Sequence, residues 1–431
     1  MSSMSSPLDA VYVTYWSFRD PLTESQCLPV LRSLVARGYK LGLVTYESGP
    51  PDAADAAQLR DQGISWYPLS YHRRPPLVST LWDALRGLRL CLGLKRQLGV
   101  KLFHSRGSVP AAPAMAAAAM TGARFFYDAD GPLSEEYVDA GLWSNRSLGY
   151  LLTRAAERRF LRSADAVAVL TQERRRALSR WTQKPITVLP CGVDTDHFTY
   201  RFDARERIRR EIGLDGTVMV YAGKWGGWYA VEEMMDFIVV ARDHFPRLHL
   251  LVLTREPPDR FHAAATRRGL ADALIVREAT RETMPQYLSA ADVGLSFVRP
   301  LPSKTACSPV KNAEYLACGL PIVTPHQIGD YSELVARNRV GVVLRALEPT
   351  AYADAAVGLR DLLNDAALKS RCRTTAENEM GLNQVVVPKY LQIYRDLIGV
   401  PTSENSELNQ EARRGERQPS ELAITPDQRR Q

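Results

Sequence analysis

One helix-like segment in the second half of the chain carries a serine, a lysine and a glutamate at helical spacing: Ser308-Pro-Val-Lys-Asn-Ala-Glu. Ser308 followed by Pro309 predicts a helix that is capped by the serine and has the proline as its first residue. The amino end of a helix attracts anions, and Lys311 in the first turn is unfavourable unless an anion lies nearby. Glu314 falls on the same face and could accept hydrogen bonds from two ribose hydroxyls. The pattern suits a diphosphate joined to a ribose, but an ordinary capped helix with a surface Lys–Glu pair looks the same.

The elements that must position this segment alternate between apolar strands and helical stretches. Seven strand-like runs lie between residues 9 and 190, and six more lie between residues 217 and 344. Strands separated by crossover helices predict an α/β fold of two doubly wound, Rossmann-like domains that face a cleft. Ligands of such sheets bind at the carboxyl ends of the strands.

The predicted boundaries follow from where this pattern restarts and where it stops. We place the domains as follows: a first domain at 7–190, a second domain at 191–381, a C-terminal helix at 382–400 that could return to the first domain, and a disordered tail at 401–431. The tail is rich in Glu, Gln, Arg, Ser and Pro, so it cannot bury enough apolar surface to offset its ordering entropy.

Composition excludes an integral membrane protein and a secreted, disulfide-rich protein. Hydrophobic residues make up 45% of the 431-residue chain, and no apolar run is long enough to span a bilayer. The N-terminus lacks the basic and apolar regions of a signal peptide, and the six cysteines are scattered, which predicts a protein of a reducing compartment. The formal charge of +7 favours anionic partners such as phosphorylated substrates, nucleic acid or a membrane surface.

Several motifs together resemble the retaining glycosyltransferase family 4, which has the two-domain GT-B fold. The segment that begins at Ser308 resembles the family's donor-binding stretch, and 188–198, Val-Leu-Pro-Cys-Gly-Val-Asp-Thr-Asp-His-Phe, resembles its interdomain linker. Residues 164–171 and 290–296 resemble the strands that precede the linker and the donor loop. The resemblance covers roughly 11–398 and implies that a sugar is transferred from a nucleotide diphosphate-sugar with retention of configuration.

Carried over to this chain, the resemblance implies that Glu314 binds the ribose and that Ser308 and Lys311 contact the diphosphate. Two positions depart from the family pattern. Ala306 stands where the family often has a second glutamate. The glycine-rich loop reads Gly223-Lys-Trp-Gly-Gly-Trp-Tyr, in which Lys224 can replace the usual arginine, while the usual lysine is a tyrosine.

Polar residues of the first domain are expected on the acceptor side of the cleft. His104 could donate a hydrogen bond to a sugar and Arg106 could meet a phosphate, although a lone histidine at a strand end is as often structural. Arg19 follows the first strand and is expected to shape the acceptor side. Asp128 and Asp130 form an Asp-x-Asp pair like the metal-binding motif of the other large glycosyltransferase fold, but the second sheet argues against that fold. With Glu135 and Glu136 they are interpreted as carboxylates that orient an acceptor hydroxyl, or as a solvated turn.

Basic residues are concentrated in the first domain, on 146–180 and on the predicted helix 77–98 beside Trp82 and several leucines. Such helices suit the surface of an anionic membrane, while a solvated helix face remains the alternative. We therefore expect a cytoplasmic protein at the inner face of the cytoplasmic membrane.

The resulting hypothesis is a glycosyltransferase without a cofactor or metal, acting on a lipid-linked saccharide of a bacterial surface polysaccharide. The expected site residues are: catalytic His104, Asp130 and Lys311; donor-binding Gly223, Lys224, Ser308, Lys311 and Glu314; and, on the acceptor side, Arg19, Arg106, Asp128, Glu135 and Glu136. A nucleotide-sugar epimerase of the same fold is the first alternative. A basic nucleic-acid-binding protein is the second, but the sequence lacks a recognisable binding module, so no nucleic acid is expected.

Overall fold

The computed structural model describes residues 7–74 and 76–401. Apart from Pro401, the predicted tail at 401–431 lies outside the described residues. The predicted pair of doubly wound parallel sheets is confirmed, and each sheet with its helices forms one lobe.

The first lobe has a seven-stranded parallel sheet in the order β3-β2-β1-β4-β5-β6-β7. Its strands are β1 Ala10–Thr14, β2 Leu41–Glu47, β3 Ile64–Ser70, β4 Leu102–Arg106, β5 Arg124–Ala129, β6 Ala166–Val169 and β7 Ile186–Val188. Its helices are α1 Leu28–Val35, α2 Ala53–Asp61, α3 Pro76–Leu98, α4 Ser108–Thr121, α5 Leu133–Asp139, α6 Leu148–Ser163 and α7 Gln172–Ser179. A π-helical turn, Thr23–Cys27, leads directly into α1.

The second lobe has a six-stranded parallel sheet in the order β10-β9-β8-β11-β12-β13. Its strands are β8 Val218–Ala222, β9 His249–Leu253, β10 Leu274–Arg277, β11 Val293–Leu295, β12 Ile322–Pro325 and β13 Gly341–Leu344. Its helices are α8 Phe202–Glu211, α9 Val231–Ala241, α10 Asp259–Arg267, α11 Met284–Ala290, α12 Val310–Ala317, α13 Tyr331–Asn338, α14 Pro349–Leu363 and α15 Leu368–Met380. A last helix, α16 Val387–Ile398, follows the π-helical turn Leu382–Val386.

Helices cover both faces of each sheet, which is why the strands are apolar throughout rather than alternating. In β1, Val11 and Val13 pack into one core while Ala10 and Tyr12 pack into the core on the opposite face. The second of these cores also contains the apolar face of α16. The chain therefore returns to the first lobe with α16. The strand order reverses beside β1 and β8, where each sheet offers a crevice.

Helix α12, which carries the predicted donor residues, packs tightly on β11. Gly294 lies in the middle of β11, where a Cβ atom would overlap the ring of Tyr315 from α12. The Tyr315 hydroxyl in turn accepts a hydrogen bond of 2.7 Å from the backbone N–H of Ala222, at the end of β8. The missing side chain of Gly294 thus sets the distance between the helix and the strand ends.

Gly294→Ala is expected to lower the free energy of unfolding by about 1–3 kcal/mol, because the added methyl group must displace Tyr315. The matched control is Gly358→Ala on α14, where the nearest atom to the new Cβ is a methyl group of Val342 at 3.7 Å. That control should leave stability unchanged or raise it, because alanine restricts the unfolded chain. Denaturant unfolding measures both, and equal stability of the two variants would contradict the packing argument.

Candidate active site

A cleft of about 1140 Å³ lies between the lobes and is lined by residues of both. The first lobe contributes residues at the ends of β4 and β5 and from α3, α5 and α6, and the second lobe contributes the loop before α12 and its first turns. The predicted cleft at the carboxyl ends of the strands is therefore present, and Ser308, Lys311 and Glu314 all line it.

Helix α12 begins one residue later than the sequence indicated. Its first helical residue is Val310, and Pro309 is the capping residue, with an extended ψ of 118° and no side-chain cap. The prediction that Ser308 caps the helix is wrong, because its hydroxyl instead accepts a hydrogen bond of 3.1 Å from the N–H of Cys191 in the linker. Helix α12 therefore presents the N–H groups of its first turn to the cleft without a side-chain acceptor.

The side chain of Lys311 is 8% exposed and its ammonium has no hydrogen-bond partner among the described residues. The ammonium lies 4.4 Å from the ring centre of Tyr221 and 4.1 Å from that of Tyr229, so aromatic faces are its nearest stabilising groups. Burial lowers the pKa of Lys311 to about 7, although Glu314 opposes this effect. A buried cation without a hydrogen-bonded partner is suited to an incoming anion.

Gly223 makes room for this ammonium. A Cβ atom at Gly223 would lie 2.8 Å from the Nζ atom of Lys311, so no larger residue fits there without displacing the lysine. Neither Gly223 nor Lys224 is among the described residues that line the cleft. Lys224 is exposed, and its carbonyl accepts a hydrogen bond of 2.8 Å from the Tyr221 hydroxyl.

Glu314 is half-buried in the cleft wall, and burial raises its pKa to about 7 while Arg281 and then Lys311 lower it. Arg281 and Arg255 also line the cleft, and sequence reasoning missed both. Both lie in loops that follow strands, β9 for Arg255 and β10 for Arg281. The rule that ligands bind at the carboxyl ends of parallel strands was the signal that would have identified them.

Arg106 lines the cleft at the end of β4, and its Nη1 atom lies 2.6 Å from the Oδ2 atom of Asp128 in a buried ion pair. Asp128 itself does not line the cleft. His104 does not reach it either: it is fully buried, stacks on Phe126 at 4.1 Å between ring centres, and has its Nδ1 atom 2.9 Å from the hydroxyl of Tyr394. Burial, together with Arg106, lowers the pKa of His104 well below its usual value, so the ring is neutral.

Asp130 lines the cleft beside Arg106. Burial raises its pKa to about 7, Arg106 opposes this effect, and the charges of Asp128 and Glu136 add to it. Glu136 also lines the cleft and forms an ion pair of 2.9 Å with Lys304, which joins the two lobes. A carboxyl group that is partly protonated near neutral pH can both accept and donate a hydrogen bond.

Besides Asp128, two predicted acceptor-side residues are not among the described residues that line the cleft. Arg19 is exposed and pairs with Asp55 at 2.9 Å and with Asp52 at 3.1 Å. Glu135 points to the other side of α5, where its carboxylate lies 3.7 Å from Arg174. Within the described ranges, no group of three or more His, Cys, Asp or Glu side chains is arranged to hold a metal ion.

Comparison with curated proteins finds relatives that are named as glycosyltransferases. A D-inositol 3-phosphate glycosyltransferase of Acidothermus cellulolyticus is 26% identical over 266 residues, which are 56% of this chain and 56% of that protein. A GDP-mannose-dependent α-(1-6)-phosphatidylinositol monomannoside mannosyltransferase of Mycolicibacterium smegmatis is 28% identical over 224 residues, 50% of this chain and 57% of that protein. The chain thus spans about half the length of the curated relatives it matches.

Comparison with solved structures confirms the fold. HepE of Anabaena, in complex with UDP-glucose, matches with a TM-score of 0.67 at 16% identity, over 89% of this chain and 99% of that chain. Two family models divide the chain at the linker: Glycosyltransferase Family 4 matches residues 24–197, and Glycosyl transferases group 1 matches residues 217–362. A glycosyltransferase family model therefore matches each lobe, and the resemblance to glycosyltransferase family 4 is confirmed.

Proposed function

We propose that the protein transfers a sugar from a nucleotide diphosphate-sugar to an acceptor hydroxyl, with retention of configuration. The observation that carries this proposal is the ammonium of Lys311, which lines the cleft in the first turn of α12 and has no hydrogen-bond partner in the part of the chain that the structure describes. A diphosphate would supply both the counter-charge and the hydrogen-bond acceptors that this site lacks. Glu314 lies on the same helix, where its carboxylate can bind the ribose hydroxyls.

The chemistry assigned to the second lobe is stabilisation of the leaving group. As the bond from the sugar to the β-phosphate breaks, negative charge grows on the phosphate oxygens. Lys311 and the N–H groups of α12 stabilise that charge, and Lys224 on the neighbouring loop is proposed as a second cation. A phosphate oxygen then accepts the proton of the incoming hydroxyl on the same face of the sugar, which retains the configuration.

The chemistry assigned to the first lobe is orientation of the acceptor. Asp130 lies at the end of β5 with its pKa raised to about 7 by burial, so at neutral pH it can accept a hydrogen bond from the attacking hydroxyl. Arg106 and Glu136 also line this end of the cleft and can bind polar groups of the acceptor. Positioning of this kind lowers the activation barrier without covalent catalysis.

An epimerase with the same fold is the competing enzyme class. The two named relatives are transferases, which favours transfer over epimerisation. HepE was solved with UDP-glucose, which supports a uridine nucleotide as the first donor to test.

A lipid-linked saccharide is the proposed acceptor class, because the Mycolicibacterium relative is named for a phosphatidylinositol mannoside.

A surface beside the cleft supports the proposed site of action at the cytoplasmic face of an anionic membrane. Seven large apolar side chains on two helices, each more than half exposed, form what we call the apolar edge: Val78, Leu81, Trp82 and Leu85 on α3, and Leu148, Leu151 and Leu152 on α6. Both helices pack against α4, and Leu81 and Leu152 also line the cleft, so the apolar edge borders its opening.

The charge of these two helices fits the same partner. Their only acidic residues, Asp83 and Glu157, are buried, while Arg86, Arg89, Arg96 and Arg159 lie on the described surface among other basic residues. Exposed leucine and tryptophan flanked by cations are typical of surfaces that bind anionic lipid headgroups. No helix in the described ranges is both long and apolar enough to cross a bilayer, so the proposed association is peripheral.

Lys311→Met should abolish the pH dependence of folding stability that this lysine causes. A base whose pKa falls from 10.5 to about 7 on folding binds fewer protons in the folded state, so stability rises as pH increases between these values. The variant should therefore be more stable than the wild type at pH 7, by on the order of 3 kcal/mol, and lack this rise. UDP should no longer stabilise it, and turnover should fall about 100-fold.

Lys224→Met is the matched control, because Lys224 is exposed. It should leave the pH dependence of unfolding unchanged, and any loss of UDP affinity measures its own contact with the diphosphate. Thermal unfolding with and without UDP, followed from pH 6 to about pH 10, covers both variants. A Lys311→Met protein that still binds UDP as the wild type does would remove the diphosphate assignment.

The wild-type protein should be stabilised by UDP, by about 2.7 kcal/mol when the ligand is at 100 times its dissociation constant. With a UDP-sugar alone, a transferase only hydrolyses the donor slowly, whereas an epimerase interconverts the sugar. Adding candidate acceptors should then release UDP in proportion to glycosylated product. Interconversion of the sugar without an acceptor would replace the proposed transfer by epimerisation.

Leu81→Ser combined with Trp82→Ser should weaken binding to phosphatidylglycerol vesicles at least tenfold, because each buried apolar side chain contributes about 1.5–3 kcal/mol. Phe202→Ser is the control, since Phe202 is 68% exposed on α8 of the second lobe. Sedimentation with vesicles measures both, and equal binding by wild type and the double variant would contradict the proposal. Salt-sensitive binding to RNA without binding to vesicles would instead favour the nucleic-acid alternative.

A further inference from the structure

Helix α16 follows the second lobe in sequence, yet it buries one face in the first lobe behind the acceptor end of the cleft. Two tyrosines on this face, Tyr390 and Tyr394, lie one helical turn apart and are 2% and 0% exposed. Both pack into the core that contains Tyr12 and Phe126 from the first sheet. Their hydroxyl groups meet different polar residues of β4 and β5.

The hydroxyl of Tyr390 contacts both members of the buried ion pair. It donates a hydrogen bond of 2.6 Å to the Oδ2 atom of Asp128 and accepts one of 3.2 Å from the Nη1 atom of Arg106. The same Nη1 atom donates to the same Oδ2 atom at 2.6 Å, so the three groups form a closed triangle. Burial raises the pKa of Tyr390 well above its usual value, so the hydroxyl keeps the proton that it donates.

This triangle engages only one of the three guanidinium nitrogens of Arg106. Its Nε atom is buried and has no hydrogen-bond partner among the described residues, although the side chain lines the cleft. A guanidinium held through one nitrogen to a single carboxylate oxygen can still rotate about that contact. The Tyr390 hydroxyl binds both partners at once and so restricts this rotation, which leaves the remaining N–H groups in a defined orientation.

We propose that Tyr390 is a positioning residue, which holds Arg106 so that its free N–H groups bind an anionic group of the acceptor, such as a phosphate. The inference deepens the proposed function, on which it rests, because it assigns the acceptor an anionic group beside the hydroxyl that is glycosylated. Helix α16 thereby contributes a side chain that orients Arg106 in the first lobe. Tyr394 does not share this role, since its hydroxyl pairs with His104.

Tyr390→Phe tests the proposal, with Tyr394→Phe as a control on the same helix that loses one equally buried hydroxyl. Both changes are made in a Lys311→Met background, in which the donor-side ammonium cannot bind phosphate. Inorganic phosphate is titrated into each protein and its dissociation constant is measured by ³¹P NMR. Tyr390→Phe should weaken phosphate binding about tenfold, while Tyr394→Phe should leave it unchanged.

Unfolding temperatures and UDP affinity, the latter measured with Lys311 restored, separate positioning from a structural role. The two tyrosine variants should unfold at similar temperatures and bind UDP as the wild type does, because the donor site lies in the second lobe. Equal phosphate affinity in both variants, or a loss that follows the unfolding temperature, would overturn the inference. Absence of UDP binding by the wild type would contradict the proposed donor site while the phosphate titration still decides the role of Tyr390.

Discussion

The site depends on one buried cation, the ammonium of Lys311, which has no hydrogen-bond partner among the described residues. The ammonium of Lys311 is held between two tyrosine rings, with Gly223 leaving the space that it occupies. Taking an ammonium out of water is costly, and aromatic faces compensate for only part of that cost. Burial therefore lowers the pKa of Lys311 to about 7. An anion bound at this position would supply the hydrogen-bond acceptor that the ammonium lacks among the described residues.

The two lobes share the order of their first six strands but differ in the charged residues at the strand ends. In each, a helix begins beside the central strands, with Arg106 near the start of α4 and Lys311 in the first turn of α12. Arg106 forms a buried ion pair with Asp128, whereas the ammonium of Lys311 has no hydrogen-bond partner among the described residues. The Glu136–Lys304 ion pair across the cleft joins the two lobes.

Side-chain environment, rather than residue type, distinguishes the predicted residues that line the cleft from those that do not. Lys311 and Glu314 both line the cleft because residues three apart in a helix share one face of α12. His104 and Arg106 are two residues apart on β4 and so share a face, but only the strand end reaches the cleft. Position along the strand therefore decided which of the two can meet a ligand.

The local pattern of the sequence determined the alternation of strands and helices, both parallel sheets and the helix that carries Lys311 and Glu314, because apolar periodicity and turn residues act over short distances. Contacts between distant segments decided which side chains line the cleft and which partners they bind. Ser308 does not cap α12 because its hydroxyl accepts a hydrogen bond from the N–H of the linker residue Cys191. Arg281 lines the cleft from a loop about 30 residues before Lys311. The pairing of Tyr390 with Arg106 spans 284 residues. Such partners are set by how the lobes and the last helix pack, and no local spacing in one sequence encodes them.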